Sequence, residues 1–413
     1  MKFHKMVVTY CCLLAVSFAY AATPDTLWVK KVHPEGNGCN SVAFSKDGSQ
    51  LLAGTNCHNA FAKLYNSSTG VEQWMYSDSS LMCFMDVKFS PNGERFAIME
   101  EFGILLIFDY TVNPPVRIAQ VDTRSNASLA LTFAPNNQSI ITSGFDDSIR
   151  VFNLATNTQT RVFGTHTNMY AITTNGKGDL IATGSQNGSI RIWDTTGNMI
   201  RSVAAFSQSV PVRSIAFNQD GTRLFCIGQN GQFRSYYTST WQLDTAFSAH
   251  SSTGTGISIA PDGSWLATSG GHGKAILWST NSYKPFHTLE LPMLGTLSGV
   301  AIAPDGKKVA LASSLGYAAM FDIQNVPTSL KENVAFAFNN PVSLYPNPLT
   351  DVLKIEINQH TPVLIRISNQ LGQIVWEQTL SSTQNIQISD WQSGYYMVQA
   401  FVDGNIHLTK LVK

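Results

Sequence analysis

The chain has 413 residues, enough for two domains, with 27 basic and 27 acidic side chains and a formal net charge of +0. Only 13% of it is charged, against roughly 25% in an average globular domain, and no basic cluster stands out, which argues against a nucleic-acid surface. No segment is long and apolar enough for a stop-transfer helix.

The N-terminus reads as a secretory signal peptide over residues 1–21. Lys2 and Lys5 precede an apolar run from Met6 to Phe18, which ends in the small-x-small pattern Ala19-Tyr20-Ala21. Cleavage there leaves 25 basic and 27 acidic residues, a balance of −2. Cys11 and Cys12 leave with the signal, and Tyr10 is not the small residue that a lipobox has before its cysteine. Cys39, Cys57, Cys83 and Cys226 remain in a compartment where they can oxidise. Cys39 lies nine residues before Gly48 and Cys57 nine after it, which predicts a Cys39–Cys57 disulfide across one hairpin. Cys57–Cys83 is the alternative, and Cys226 reads as a buried apolar thiol.

From residue 22 to 326 the chain repeats itself. The copies read AFSKDGSQLLAGT from Ala43, KFSPNGERFAIM from Lys88, TFAPNNQSIITSG from Thr132, TTNGKGDLIATGS from Thr173, AFNQDGTRLFCIG from Ala216, SIAPDGSWLATSG from Ser258 and AIAPDGKKVALAS from Ala301. Their turn residues Gly48, Gly93, Asn137, Gly178, Gly221, Gly263 and Gly306 are 45, 44, 41, 43, 42 and 43 residues apart. Such a steady period with strand-like content predicts propeller blades. In each copy an alternating strand runs into an Asp/Asn-Gly type turn, then into a strand of small and β-branched residues. A third strand follows, as in Ile190-Arg191-Ile192-Trp193-Asp194, and then a weaker fourth. Seven such units close a ring and so remove open sheet edges. Leu27–Val32 is predicted to be the outer strand of the last blade, clasping the ring, with Val334–Phe338 competing for that place.

The repeat resembles the WD-repeat family from about Leu27 to Val326. The fourth copy carries the pattern best, in Gly184-Ser185, Asn187-Gly188 and Ile190–Asp194. Elsewhere the terminal pair drifts to Tyr65-Asn66, Phe108-Asp109, Phe152-Asn153, Tyr236-Tyr237, Trp278-Ser279 and Phe321-Asp322. The family's Gly-His pair survives only as echoes at Gly164-Thr165-His166 and Ala249-His250. The polar network that orders many WD blades is therefore not expected in most blades here.

Residues 327–341 form a linker, and 342–413 read as short alternating strands of a small β-sandwich. This last segment resembles the C-terminal sorting domain of the bacterial type IX secretion system. The resemblance rests on Tyr345-Pro346-Asn347-Pro348, the Asn-x-x-Gly turn ending at Gly372, Ser393-Gly394-Tyr395-Tyr396 and the terminal Lys410-Leu411-Val412-Lys413. It implies a Bacteroidetes-type source, passage to the periplasm on the signal peptide, and a second passage through the outer membrane. The type IX machinery is the implied partner. The expected fold is thus all-β: a seven-bladed WD-repeat β-propeller followed by a small immunoglobulin-like β-sandwich.

The usual motifs of nucleophilic, zinc, nucleotide and calcium chemistry are missing from the sequence. The histidines fall in different blades, too dispersed for a metal site. Gly270–Lys274 is glycine-rich, but it reads as a strand-to-strand turn with no helix behind it to hold phosphate. No catalysis and no cofactor are expected. In WD proteins the face built from the second-to-third-strand turns is the usual partner surface. The resemblance places there His58, Asn59, Glu100, Glu101, Phe102, Phe145, Asp146, Gln186, Asn187, Gln229, Asn230, His272 and Tyr317. Exposed aromatics among amides suit protein or carbohydrate contact. Asp146 also reads as a turn-capping aspartate. The expectation is an exported monomer that binds a protein outside the cell or at its surface, with carbohydrate binding and adhesion as the alternative. Asp25-Thr26-Leu27, Asp147-Ser148-Ile149 and Asp244-Thr245-Ala246 resemble the glycosylation site of that bacterial group.

Overall fold

Each repeat folds into one four-stranded antiparallel sheet. In the first, Cys39–Phe44, Gln50–Thr55, Phe61–Asn66 and Glu72–Ser77 pair in chain order. The Asp-Gly turn between its first two strands shows how the sequence sets the hairpin. Gly48 takes φ 71° and donates its N–H to Ser45 at 2.9 Å. The Asp47 carboxylate accepts from the Ser49 N–H at 3.1 Å. Such a turn needs a residue that tolerates positive φ and a short side-chain acceptor before it. The Asp or Asn that ends the third strand repeats the device: Asn66, Asp109, Asn153, Asp194 and Asp322 each accept from the backbone N–H two residues on.

The protein is described from a computed structural model over residues 25–33, 38–56, 60–123, 128–164, 168–324, 326, 342–345, 351–357, 362–369, 373–392, 394–402 and 405–413. It divides into two compact units, Met1–Val326 and Pro327–Lys413.

Among the described residues the first unit holds seven four-stranded sheets. The innermost strands contact one another in sequence, and that of the last sheet, Leu297–Ile302, contacts Cys39–Phe44 of the first. The last sheet takes its outer strand from the other end of the chain. Thr26–Lys31 pairs antiparallel with Tyr317–Asp322, with Lys31 opposite Tyr317. The predicted clasp is therefore formed by the N-terminal segment; Val334–Phe338 lies outside the described residues.

The small residues of the second strands have a packing cause. A Cβ on Gly54 would lie 2.8 Å from Val87 of the next sheet, and one on Gly184 would lie 2.7 Å from Val212. Sheets this close bury their facing side chains in continuous clusters. Trp265, Leu277, Leu311 and Phe321 share one, and Phe84, Phe96, Leu106 and Phe108 share another.

The disulfide expectation is corrected. Cys39 is a free, fully buried thiol, and Cys83 is the disulfide-bonded cysteine. Equal spacing about Gly48 misplaced the register. The hairpin pairs Phe44 with Leu51, and a bulge between Cys39 and Ser41 then sets Cys39 opposite Thr55, two residues short of Cys57. Burial pushes the Cys39 thiol up to about 12, which leaves it inert. Cys57 lies outside the described residues. Cys226 is buried and free, as read from the sequence.

Among the described residues the second unit has two sheets. Val342–Tyr345, Val352–Ile357 and Gln384–Gln387 form one; Ile374–Leu380, Val363–Asn369, Tyr395–Val402 and Asn405–Val412 form the other. Leu353, Ile355, Val363, Ile365, Ile367, Ile388 and Leu411 fill a common core.

Candidate functional face

The turns between second and third strands recur at the same end of every sheet in the first unit. A glycine opens the third strand in five of them: Gly103, Gly188, Gly231, Gly273 and Gly316 all have positive φ. Their carbonyls accept the N–H groups of Thr123, Phe206, Ala249, Leu291 and Val32, which follow the outer strands. A Cβ at Gly231 would meet the His250 carbonyl at 2.3 Å. Asp147, with φ 66°, stands in this place in the third sheet.

Much of the polar character predicted for this face is spent on building it. Glu100 is 2% exposed. Its carboxylate accepts from the N–H of Phe102 at 2.8 Å, Met82 at 3.4 Å and Ile104 at 3.5 Å. Burial still pushes its carboxyl above the usual range. Asp146 accepts from Ser148 N–H at 3.3 Å and forms an ion pair with Arg150, so the turn-capping reading holds. Asn187 caps Ser189, and Asn230 caps Gln232, each at 3.2 Å. Phe145 is half-buried, its ring edge-on to Tyr170 at 5.0 Å. Tyr317 is half-buried beside the clasp. Glu101 is half-buried; Phe102, Gln186, Gln229, Asn230 and His272 are exposed, and His272 sits at φ 60°. His58 and Asn59 lie outside the described residues.

Phe102, a candidate from the sequence, is 56% exposed, and sequence reasoning missed the other exposed apolar residues here: Met82 in the link into the second sheet, and Met293 and Leu315, the latter 48% exposed, at the seventh. Leu315 and Met293 lie outside the repeat pattern, in the turn and the inter-repeat link, so only their shared end of the ring groups them.

The ring is tied internally by polar contacts that span sheets. Asp86, 8% exposed, accepts from Ser41 Oγ at 2.7 Å, from Leu131 N–H at 3.1 Å and from Lys88 at 3.0 Å, joining three sheets. On the opposite face, Arg95 donates to the Leu154 carbonyl at 2.9 Å and Arg223 to that of Thr280 at 3.1 Å. Both arginines open a second strand and reach the residue just past the next sheet's third strand. The ordering network, not expected in most blades, is present in two sheets that keep its residues. Trp278 Nε1 donates to Thr268 Oγ1 at 2.9 Å, and His250 Nε2 meets the same hydroxyl at 2.9 Å. In the fourth sheet Trp193 donates to Thr183 at 3.1 Å.

Family models match these repeats. The description "WD domain, G-beta repeat" covers residues 123–153, 157–194 and 241–279, and "Secretion system C-terminal sorting domain" covers 343–413. The chain carries WD40 repeats and a type IX sorting domain. The third, fourth and sixth copies are the matched ones, and the last two keep the tryptophan–threonine contact. The WD40 propeller is similar to the COMPASS component SWD3 of Saccharomyces cerevisiae, at 28% identity over 37% of this chain and 48% of the relative. It is also similar to Autophagy-related protein 16 of Arabidopsis thaliana, at 20% over 63% of this chain and 51% of the relative. The Protein LST8 homolog of Drosophila melanogaster shares 22% over 59% of this chain and 80% of its own length. The chain thus spans about half the length of the first two relatives.

The sorting domain brings its own signature residues together. Gly394 and Lys413 exchange N–H···O bonds at 2.8 and 2.9 Å, Tyr395 pairs with Val412, and Tyr396 pairs with buried Leu411. Tyr345 ends a strand that pairs with Val352–Ile357, while Pro346–Pro348 and Gly372 lie outside the described residues. Among the described residues no helix is long and apolar enough to cross a membrane, and no group of three or more His, Cys, Asp or Glu is placed to hold a metal.

Proposed function

We propose that this is an exported, non-catalytic binding protein: a seven-bladed WD40 propeller that engages a protein partner at the cell surface or outside the cell. On this reading residues 1–21 are a signal peptide and 342–413 an immunoglobulin-like sandwich that directs type IX export. The observation that carries the binding assignment is the division of labour on the turn face. Its acids Glu100 and Asp146 are consumed by backbone and arginine contacts, whereas Phe102, Leu315, Met82 and Met293 are left to solvent. Apolar residues gathered at one end of a rigid scaffold mark a contact surface rather than a reaction centre. Proximity labelling on the producing bacterium tests this. Wild-type protein should label a discrete partner outside the outer membrane, and Phe102→Asp with Leu315→Asp should abolish that labelling without lowering the melting temperature. Equal labelling by both forms would refute the assignment of the face.

A carbohydrate reading is supported by one feature of the opposite face. A polar groove of about 490 Å³ between the fifth and sixth sheets is lined by Asn218, Asp220, Arg223, Tyr237, Asp262 and Asn281. Tyr237 is 40% exposed where five other repeats end their third strand in Asp or Asn. A glycan array run with wild type and Tyr237→Ala decides whether this groove binds sugar.

A further inference from the structure

All seven innermost strands carry an irregularity at the same place, directly after their first residue. The register shifts between Cys39 and Ser41, Phe84 and Asp86, Ser128 and Ala130, Met169 and Ala171, Val212 and Ser214, Gly254 and Gly256, and Leu297 and Gly299. Each bulge leaves one unpaired residue and re-aims its side chain. The seven are Asn40, Met85, Leu129, Tyr170, Arg213, Thr255 and Ser298, all partly exposed. They belong to the turn face, since each is next to the link that enters its sheet. Neighbours in the series touch: Asn40 Nδ2 lies 3.6 Å from Met85 Sδ, and the Arg213 guanidinium sits 4.6 Å over the Tyr170 ring.

This girdle has one charge. Six members are neutral, and Arg213 is the cation. The Tyr170 ring lies beneath it, and Phe145 in turn braces Tyr170 edge-on at 5.0 Å, so residues of three sheets combine around one guanidinium. Among the described residues no carboxylate pairs with it. In the turn that carries Phe145, Asp146 pairs with Arg150, and the charge of Asp147 acts on Arg191. Burial draws the Arg213 pKa down, with Tyr170 opposing it, which marks a charge taken out of water with an aromatic rather than an acid as compensation. A planar, stacked, pre-oriented guanidinium presents its fork to a carboxylate at little further entropic cost.

We propose that Arg213, stacked on Tyr170, is the anchor for an aspartate or glutamate of a protein partner docked on the turn face. This rests on the protein-binding reading above and specifies the chemistry that the partner must bring. The apolar residues Phe102 and Leu315 supply contact area on the same face, and Arg213 supplies register, because a misplaced carboxylate leaves two charges unpaired.

The test selects a library of random linear peptides on the full-length protein, then measures individual hits against variants. Peptides retained by wild type should be enriched in Asp or Glu. A hit should bind Arg213→Gln roughly thirty-fold more weakly or worse. Its Asp→Asn or Glu→Gln form should lose the same factor on wild type and nothing further on the variant. Arg213→Lys should fall between, since it keeps charge and loses the fork, and Tyr170→Leu should cost several-fold by removing the stack. Unchanged circular dichroism and melting in at least one of these variants secures the comparison. Peptides that bind without acidic enrichment, or bind Arg213→Gln as well as wild type, overturn the anchor and leave the protein-binding reading standing. Failure of wild type to retain any peptide removes that reading and the anchor with it.

Discussion

At the level of single residues, the repeat is held by side chains doing one job several times. His250 is the most consequential. It is 7% exposed against Thr268, and burial, aided by the Lys274 ammonium, draws its imidazole down to about 4 from an ordinary 6.5. A depressed pKa means that the fold holds the neutral ring. Its contribution is complete above pH 6.5 and is lost as pH falls through 6.5 toward 4, because the unfolded chain then binds the extra proton. The loss is on the order of 3 kcal/mol. Denaturant midpoints measured across this window should fall with acid in wild type, and His250→Gln should flatten that slope. Glycines offer a second check at this scale. Gly231 and Gly263 have similar φ, 78° and 71°, but a Cβ at Gly231 would strike the His250 carbonyl at 2.3 Å while one at Gly263 would meet nothing within 4 Å. Gly263→Ala should cost only the backbone strain, about 1 kcal/mol, and Gly231→Ala clearly more. Equal melting temperatures for the two would mean that close approach is not what keeps Gly231.

Among the elements, the Thr26–Lys31 strand matters most, because it alone joins the two ends of the ring through a sheet. Without it Tyr317–Asp322 would present an open edge, and edges template association. Deleting residues 23–34 should lower the melting temperature sharply and promote oligomers on gel filtration; an unchanged monomeric profile would show that side-chain packing between the first and last sheets suffices. Legibility in the sequence varied by element. The hairpins were plain, because Asp-Gly turns and alternating strands are local signals. The clasp was readable as a candidate but not as a choice, because pairing between residue 31 and residue 317 leaves no local trace. The Cys39–Cys57 expectation failed for a related reason: a bulge shifts register by one residue without altering spacing along the chain.

For the whole molecule, export is the property to test. The C-terminal strand Asn405–Val412 pairs along its length with Tyr395–Val402, and Gly394 closes the pair on Lys413. Removing residues 410–413 takes buried Leu411 out of the core and unpairs Tyr395 and Tyr396. Fractionation of the native bacterium should then find the protein in the periplasm, with wild type at the surface or in the medium. Sequencing both ends of the wild-type product reports whether residues 1–21 and the sorting domain are removed. Export of the truncated chain at wild-type levels would show that the paired terminus is not what the machinery reads.

The sequence by itself determined the repeat, its turns, the two-part organisation and the sorting signature, because each depends on residues close together in the chain or on a period that the chain repeats. Only the tertiary structure decided which residues of the turn face are spent on the fold and which face solvent. Glu100 and Phe102 are two positions apart and look equally available, yet one is 2% and the other 56% exposed. The difference arises from three backbone N–H groups that converge on Glu100, those of Phe102 and Ile104 from the turn and that of Met82 from the link into the sheet. Arg213 was equally silent as one residue of an ordinary strand. Its place comes from a bulge, and from Tyr170 and Phe145 brought beside it by the two preceding repeats, and the stacking of successive sheets makes those three neighbours.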